Sequence, residues 1–390
     1  MGLGFFLNIK TKHMKKIFTL ILTATFALTA SAQENGFYRI QNTTTGRYLS
    51  IEDTKTSDYL PEGYDPIHSG GGVRSAGLQT RPDWDWVSTA PSTVIYIDKL
   101  GNGKYDLIGQ GTSIYKLTGG KLAIDITPQS DGSYRLSGTA TAAGATFTYY
   151  LQDKVTDDSD DYFVIIDDKN KGAREWDLIP ITTSDNYISI EANVKTDAGY
   201  WGSIYAGFPF ELASEGMKAY YISSVSGDGF TLEEISGIIP AATPVIVKCA
   251  SNVPSNNKIK PLTSGGTEIG ENKLGGVYCS FARAGGWDDV TNYNRSTMRI
   301  LGSSNGELAF VKATEADLYD GQYLWGNRAY LSVPAGSPDV LVEGGTGITT
   351  INAQEAKSEG TYSLTGVRIQ EGSTPKAGIY IQNGKKVVIK

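Results

Sequence analysis

A short apolar motif recurs between residues 36 and 183 and constrains the fold of this region most strongly. Tyr38–Ile40, Tyr105–Leu107 and Tyr134–Leu136 each place a polar residue between two apolar ones, and a further apolar stretch follows after a polar turn. Such alternation is typical of a strand with one buried face. Gly-Asn-Gly at 101–103 and Asp-Gly at 131–132 are turn signals. Three strand-turn-strand units therefore predict a three-fold β architecture.

The first unit resembles a known family. Residues 36–42 and 45–51 are similar to the opening hairpin of ricin-type β-trefoil domains. The resemblance implies a β-trefoil fold for residues 33–183. It also implies a sugar site built from an acid on one hairpin and a Gln-x-Trp near the end of a unit. Glu175-Trp176 stands near an expected unit end but Gln-x-Trp is absent, so the resemblance supports the fold more than lectin activity.

Many short strand patterns without a helical period fill residues 184–342. Met217–Ile222, Gly229–Leu232 and Pro244–Lys248 read as strands, and Ser303–Gly306 reads as a hairpin turn. Because short strands dominate, we expect a β-sandwich here. Gly207–Phe210 together with residues 239–246 resembles a β module of secreted Bacteroidota proteins, and this resemblance implies no particular chemistry.

The C-terminal region, residues 343–390, predicts a linker followed by a small β tail. Residues 344–350 are rich in Gly and Thr, and Asn383-Gly384 predicts a final hairpin. Residues 361–390 are similar to the C-terminal sorting domains of type IX secretion, although a Pro-Asn-Pro opening strand is absent. Two interpretations stay open, namely sorting or surface anchoring and a small β addition that packs on the preceding domain. The predicted fold is thus all-β, with a β-trefoil-like domain, a β-sandwich and a β tail.

Residues 1–32 read as a leader that ends in a secretory signal peptide. Lys15 and Lys16 precede the apolar stretch Ile17–Leu28, and Ala30-Ser31-Ala32 is a cleavage signal. The apolar stretch is shorter than the roughly 20 residues of a membrane span. We therefore expect a mature chain that begins near Gln33, has no membrane span, and is secreted or held at the outer cell surface.

Charge excludes one class of partner. The net charge is −7, and removal of the four lysines of the leader leaves 31 basic against 42 acidic residues, a net charge of −11. An acidic chain of this kind is a poor nucleic-acid binder, because phosphate contacts need lysine and arginine. Nothing in the sequence predicts the oligomeric state.

Cys249 and Cys279 are the two cysteines of the chain. An oxidising compartment permits a disulfide between them, which would stabilise the fold by roughly 3–4 kcal/mol in the chain-entropy model. The alternative is two unpaired thiols in neighbouring strands. Both interpretations stay open, because sequence does not show whether the β-carbons face each other.

Catalytic and cofactor signatures are absent from the sequence. His68 is the only histidine after the leader, and no nucleophile elbow, zinc motif or phosphate-binding loop is present. The acidic run Asp157–Asp161 lacks EF-hand spacing, so a solvated loop is favoured over a calcium site. We expect no cofactor and no metal. Two carboxylates that cleave a glycoside remain an alternative, because their separation is a property of the tertiary structure.

A long predicted loop, residues 53–92, carries the candidate ligand-binding residues. Sugar rings stack on aromatic rings, and neighbouring carboxylates accept hydrogen bonds from sugar hydroxyls. If the Asp-Trp-Asp-Trp stretch is extended, both indoles lie on one side of the chain. Alternatively, the tryptophans close the bottom of the trefoil or attach the loop to the core. Trp287, beside Asp288 and Asp289, is a second candidate. The predicted ligand-binding residues are Tyr59, Tyr64, Asp83, Trp84, Asp85 and Trp86.

Three functions fit these features. The leading hypothesis is a secreted or surface-displayed, non-catalytic binding protein whose ligand is a glycan or a surface protein. The first alternative is a structural or protein-interaction component of the cell envelope. The second alternative is a glycoside hydrolase that uses two carboxylates.

Overall fold

The computed structural model describes residues 33–51, 73–81, 84–109, 112–113, 116–117, 120–121, 123–142, 144–153, 163–167, 170, 172–277, 291–344, 361–363, 378–382 and 385–389. Within these ranges β-strands dominate, and the predicted all-β class is confirmed. The described helices are short. They are one α-helix, α1 (Trp84–Thr89), and the 3₁₀ turns Pro91–Thr93, Ser184–Asn186, Pro254–Asn256 and Glu315–Asp317.

The first structural unit lies N-terminal to residue 182 and contains thirteen described strands. The three repeated motifs fall on its strands β1, β5 and β10, as predicted. The strands are β1 (Gly36–Asn42), β2 (Tyr48–Ile51), β3 (Val73–Arg81), β4 (Ile95–Lys99), β5 (Tyr105–Gly109), β6 (Thr112–Ser113), β7 (Lys116–Leu117), β8 (Gly120–Lys121), β9 (Asp125–Pro128), β10 (Tyr134–Ala142), β11 (Ala145–Asp153), β12 (Phe163–Asp167) and β13 (Glu175–Pro180).

Six of these strands close into a ring. β1 pairs with β4, β4 with β5, β9 with β10, β10 with β13, and β13 with β1, all antiparallel. A bridge between Tyr105 and Ile124 joins β5 to the start of β9 and completes the circuit. The hairpin strands β2 and β3 and the pair β11 and β12 extend from the ring and meet through β3 and β12. The β-trefoil assignment stays a prediction. The closed ring of six strands is the feature of the structure against which it can be judged.

The repeated motif supplies the core of the first unit. Tyr38 and Ile40, Tyr105 and Leu107, and Leu136 with the partly buried Tyr134 all pack in one cluster. Trp176 is fully buried among them, and its indole Nε1 donates a hydrogen bond to the Leu151 carbonyl at 3.0 Å. Because each copy of the motif points its apolar residues inward, the three units share one core.

A buried ion pair fixes the turn between β1 and β2. The Arg47 guanidinium donates through Nε and Nη2 to the two carboxylate oxygens of Asp153, at 2.8 and 2.7 Å. The Asp153 side chain has no exposed surface, and it also accepts hydrogen bonds from Thr45 and Thr80. Four donors around one carboxylate offset the cost of its burial and bind β11 to the first hairpin and to β3.

The second structural unit begins at residue 188 and contains thirteen described strands. Ten form one sheet and three form another. They are β14 (Ile188–Ser189), β15 (Val194–Thr196), β16 (Gly199–Ile204), β17 (Phe210–Leu212), β18 (Lys218–Ser226), β19 (Gly229–Ile235), β20 (Val245–Cys249), β21 (Lys258–Pro261), β22 (Leu274–Val277), β23 (Met298–Ser304), β24 (Glu307–Val311), β25 (Arg328–Ser332) and β26 (Val340–Glu343).

Strand β20 shows how the second unit is layered. Val245 and Val247 pack against the three-stranded sheet β14-β21-β17, whereas Ile246 packs into a second cluster on the opposite face. Both faces of this central strand are therefore buried, which explains its continuous apolar sequence. The long sheet curls, since the amide of Asp197 beyond β15 donates to the Gly306 carbonyl in the β23–β24 hairpin at 2.7 Å. This packing of two sheets is sandwich-like, as expected.

The two units share part of one hydrophobic core. Val94 and Ile181 of the first unit belong to the cluster that lies beneath β20, and Phe37 packs against it. The rings of Phe37 and Phe208 lie 5.5 Å apart between centroids. Helix α1 also contacts β14. Side chains from both units therefore hold the two units against each other. The boundary between two domains at residues 183–184 stays a prediction.

The described part of the C-terminal region forms a separate three-stranded antiparallel sheet. Its strands are β27 (Thr361–Ser363), β28 (Gly378–Gln382) and β29 (Lys385–Ile389), and β28 pairs with β29 as the final hairpin requires. The leader, residues 1–32, and most of the predicted linker lie outside the described residues. No helix in the described ranges has the length and apolarity of a membrane-crossing segment.

Cys249 carries a free, buried thiol at the end of β20. Burial raises the pKa of the Cys249 thiol to about 12. Cys279 lies outside the described residues, so a disulfide between the two stays a prediction.

Substitution of Asp153 by Asn should destabilise the first unit, because it leaves the Arg47 guanidinium largely buried without a counter-charge. We expect a loss of about 2–4 kcal/mol in the free energy of unfolding, measured by chemical denaturation followed by circular dichroism. Lys218→Gln is the control, since the Lys218–Glu234 ion pair is exposed and should contribute little. Equal losses in the two variants would contradict a stabilising role for the Asp153 network.

The Cys249 thiol should resist alkylation in the folded protein. Only the thiolate reacts with iodoacetamide, and a pKa of about 12 keeps this thiol protonated at pH 8. Peptide mapping after labelling should therefore find Cys249 modified only when guanidinium is present. Equal labelling with and without denaturant would show that the thiol is accessible.

Candidate functional site

A cleft of about 540 Å³ lies where the two units meet, and we call it the inter-unit cleft. This volume falls within the range of small-molecule sites. Trp86, Thr89, Ala90 and Ser92 of the first unit form one wall, and the second unit supplies the rest of the lining. The second unit contributes Trp325 and Tyr330 together with the polar residues Ser189, Glu191, Asn193, Asp317, Asn327 and Arg328.

Trp325 is the most exposed aromatic residue in the lining. Its side chain is 45% exposed, and its ring meets Tyr319 edge-on at 5.3 Å between centroids. Reciprocal backbone hydrogen bonds between Tyr319 and Tyr323 close the turn before it. Trp325 therefore presents an indole surface to the cleft from an ordered turn.

Asn327 anchors the turn that carries Trp325. Its φ is +56°, a left-handed conformation that Asn tolerates better than most residues. Its amide donates to the Val277 carbonyl, and its side-chain Nδ2 donates to the Tyr205 carbonyl at 3.1 Å. The Tyr205 amide in turn donates to the Asn327 carbonyl at 3.0 Å. The position of Trp325 is therefore set by backbone bonds to β22 and to the end of β16.

Two polar atoms in the lining are buried without a hydrogen-bond partner among the described residues. They are the Ser189 Oγ, in a residue that is 1% exposed, and the Arg328 Nη1. A buried polar group without a partner costs about 1–3 kcal/mol. Three further atoms of this kind, Arg39 Nε, Arg39 Nη2 and Arg174 Nε, lie outside the cleft lining, so these groups do not by themselves mark a ligand site.

Two carboxylates line the cleft, and each has a structural partner. Glu191 pairs with the Nη2 of Arg328. Asp317 accepts hydrogen bonds from the amide and the hydroxyl of Thr314, at 2.8 and 2.7 Å, which caps the 3₁₀ turn Glu315–Asp317. These partners hold both side chains in defined positions, where their remaining lone pairs can accept hydrogen bonds from hydroxyl groups.

The predicted loop between residues 53 and 92 is wrong in its C-terminal half. Strand β3 pairs there with β2 and β12, and residues 84–89 form helix α1. The stretch is therefore not extended, and the condition under which Trp84 and Trp86 would share one side of the chain is not met. Residues two apart on a helix are separated by about 200° around its axis, so the two indoles point in different directions. Trp86 lines the cleft, whereas Trp84 does not.

Trp84 packs on the first hairpin instead. It is 40% exposed, its ring lies 5.4 Å from that of Tyr48, and the Arg39 guanidinium lies 5.1 Å from its centroid. Burial lowers the pKa of Arg39 to about 10, while Tyr48 opposes this shift. Arg39 stays charged at neutral pH, so a cation–π contact stabilises Trp84 on the surface of the first unit.

None of the remaining residues that the sequence analysis singled out is placed in the described cleft lining. Asp85 is exposed in the first turn of α1, outside the cleft lining. Tyr59, Tyr64, Asp83, His68, Trp287 and the acidic run 157–161 lie outside the described residues. Within the described ranges there is no cluster of three His, Cys, Asp or Glu that could hold a metal ion.

Sequence reasoning missed most of the cleft. Four of its residues come from segments that are distant in sequence and contain none of the motifs named in the sequence analysis, namely Ser189, Glu191, Trp325 and Arg328. The one local signal is Trp325-Gly326-Asn327, because Gly and Asn favour a turn beside the tryptophan.

The Asn327 conformation gives a prediction about the Trp325 turn. Asn327→Ala should cost about 1–2 kcal/mol of stability, because Ala is strained at positive φ and loses the bond to Tyr205. Asn327→Gly should cost less, because glycine adopts this φ without strain. Thermal unfolding and amide exchange at Tyr205 would measure both effects. An alanine variant as stable as the glycine variant would contradict the argument from backbone strain.

Comparisons with protein-family models, with curated proteins and with solved structures found no match to this chain. A functional proposal therefore depends on the chemistry of the inter-unit cleft and on the sequence patterns.

Proposed function

We propose that this chain is a secreted or surface-displayed, non-catalytic binding protein that holds a glycan in the inter-unit cleft. One observation carries the proposal. Trp86 from the first unit and Trp325 from the second line the same cleft, together with polar residues such as Glu191 and Asn193. Ligand sites commonly combine aromatic walls with a few polar groups that converge on one place.

The chemistry of a sugar matches this combination. A pyranose ring presents C–H groups on its faces, which stack on an indole, and hydroxyl groups around its rim. The Glu191 carboxylate can accept a hydrogen bond from a sugar hydroxyl. Asn193 also lines the cleft and has both a donor and an acceptor.

The carboxylates favour binding over catalysis. Glu191 is paired with Arg328, and Asp317 caps a turn, so each carboxylate already has a structural role. A glycoside hydrolase stays the second candidate because both carboxylates line one cleft. Release of reducing sugar from a polysaccharide panel would distinguish it from a binding protein.

Export is part of the proposal. The predicted leader that ends at Ala32 would carry the chain across the inner membrane. The tail, whose described strands form a separate sheet, would then serve sorting or attachment. Mass spectrometry of the protein from culture medium and cell envelope would locate it and give its N-terminus. A full-length chain that remains in the cytoplasm would contradict export.

Substitution of the two cleft tryptophans should weaken glycan binding. A glycan array identifies the ligand, and isothermal titration calorimetry then compares the variants. We expect Trp325→Ala and Trp86→Ala each to lower affinity at least about tenfold, because aromatic anchors contribute most of the binding energy at such sites.

Trp84→Ala is the matched control. It removes an exposed indole from the same helix but lies outside the cleft, so it should leave affinity within about twofold of the unmodified chain. Binding that depends on Trp84 and not on Trp325 would place the ligand on the first hairpin instead. The absence of binding to any glycan would reject the proposed function and favour the structural cell-envelope alternative.

A further inference from the structure

A pocket of about 380 Å³ lies on the first unit, and we call it the arginine pocket. The turn between β1 and β2, strand β10 and the segment that leads into β13 contribute to its lining. No residue of this lining belongs to the lining of the inter-unit cleft, so the two sites are separate. The polar residues of the arginine pocket are Thr44, Arg135, Asn170, Arg174 and Glu175.

The backbone that carries Arg174 is fixed to β11. The amides of Ala173 and Asp153 each donate to the carbonyl of the other residue, at 2.9 and 2.8 Å. The Gly172 amide donates to the side-chain oxygen of Gln152 at 3.0 Å. A β-carbon on Gly172 would lie only 2.4 Å from the Asp153 carbonyl oxygen, so glycine permits this close approach. Arg174 therefore extends from a backbone in a defined position.

The Arg174 guanidinium is oriented by an aromatic ring. Its central carbon lies 4.8 Å from the centroid of the Tyr150 ring. A cation–π contact of this kind positions the guanidinium and leaves its N–H groups available for hydrogen bonds. Only Nε is buried without a hydrogen bond, whereas Nη1 and Nη2, which have no hydrogen-bond partner among the described residues, are accessible from the pocket. Two N–H-bearing nitrogens of a fixed cation are thus within reach of a ligand.

Arg135 supplies a second cation to the same pocket. Its Nε and Nη2 donate to Oε1 of Glu175, at 2.9 and 2.6 Å, in a cross-strand pair between β10 and β13. The Arg135 side chain is 40% exposed, and its Nη1 has no hydrogen-bond partner among the described residues. The lining therefore carries two positive charges against one negative charge. A local excess of positive charge attracts an anion, even in a chain whose net charge is −7.

We propose that the arginine pocket is a second binding site, which takes one oxyanion group of a ligand, namely a carboxylate, a sulfate or a phosphate. Nη1 and Nη2 of Arg174 donate to two oxygens of this group, because a planar guanidinium matches such oxygens in a bidentate arrangement. Arg135 Nη1 and the Thr44 hydroxyl are further donors in the same lining.

The size of the charged lining determines the scale of the ligand. Two basic side chains suit a single anionic group, whereas a nucleic acid or another polyanion needs many basic contacts along its length. A neutral hydroxyl would leave the charge of Arg174 unbalanced. This inference does not rest on glycan binding in the inter-unit cleft, because the two sites share no residue.

Nuclear magnetic resonance of the full chain, labelled with ¹⁵N-arginine, tests the proposal. Sodium sulfate, sodium phosphate and sodium galacturonate are the anionic probes and distinguish the three kinds of oxyanion. Galactose is the neutral control, and sodium chloride keeps the ionic strength constant. We expect the amide signals of Arg135 and Arg174 to shift saturably with at least one anionic probe and not with galactose. The absence of a saturable shift with all three anions would overturn the proposal.

Variants of Arg174 test the contact itself, with the Arg135 signal as the measure of affinity. Arg174→Gln should weaken anion binding at least about tenfold, the effect of losing charge-assisted hydrogen bonds. Arg174→Lys retains the charge but loses the fork, so we expect a loss of about 3–10-fold. Lys218→Gln is the control, since it removes one positive charge from an exposed pair in the second unit and should change affinity by less than about twofold. Equal affinities in the Arg174→Gln variant and this control would overturn the proposal.

Glu175→Gln provides a test in the opposite direction. It removes the negative charge of the lining and releases the Arg135 donors, so anion binding should become at least about threefold tighter. A purely structural role of Glu175 would not produce tighter binding, and an unchanged or lower affinity would overturn the charge argument. Trp325→Ala should leave anion binding unchanged. Loss of anion binding in that variant would place the anion in the inter-unit cleft and overturn the assignment to the arginine pocket.

Discussion

The packing of the two units against each other determines the candidate site. Phe37 from β1 reaches Phe208 in the second unit, and Val94 and Ile181 join the same buried cluster. This shared core stabilises the arrangement because apolar surface from both units is removed from water at one place. The wall with Trp86 and the wall with Trp325 are consequently held opposite each other, and neither unit has the complete cleft by itself.

Polar interactions with precise partners support this arrangement from both sides. In the first unit, four donors around the Asp153 carboxylate fix the turn that follows β1. In the second, Asn327 holds the Trp325 turn through backbone bonds to neighbouring strands.

The strands of this protein could be predicted from sequence to a large extent. β1, β5 and β10 coincide with the repeated motifs, and the β23–β24 hairpin turns at Asn305-Gly306 as expected. Such elements are predictable because strand alternation and turn residues are local properties. The helix around Trp84 could not be predicted in this way, because the same Asp-Trp-Asp-Trp stretch can be extended or helical. The packing of α1 against β14 decides between the two conformations.

By itself the sequence determined the all-β class, the positions of most strands and the residues of the first core, since these follow from the local pattern of apolar residues and turns. It also supplied the predictions of a leader, of a sorting-like tail and of a non-catalytic protein, which stand as predictions. Only the tertiary structure separated Trp84 from Trp86 and placed Trp86 across a cleft from Trp325. Such a juxtaposition depends on contacts between residues far apart in the chain, and no local pattern encodes them.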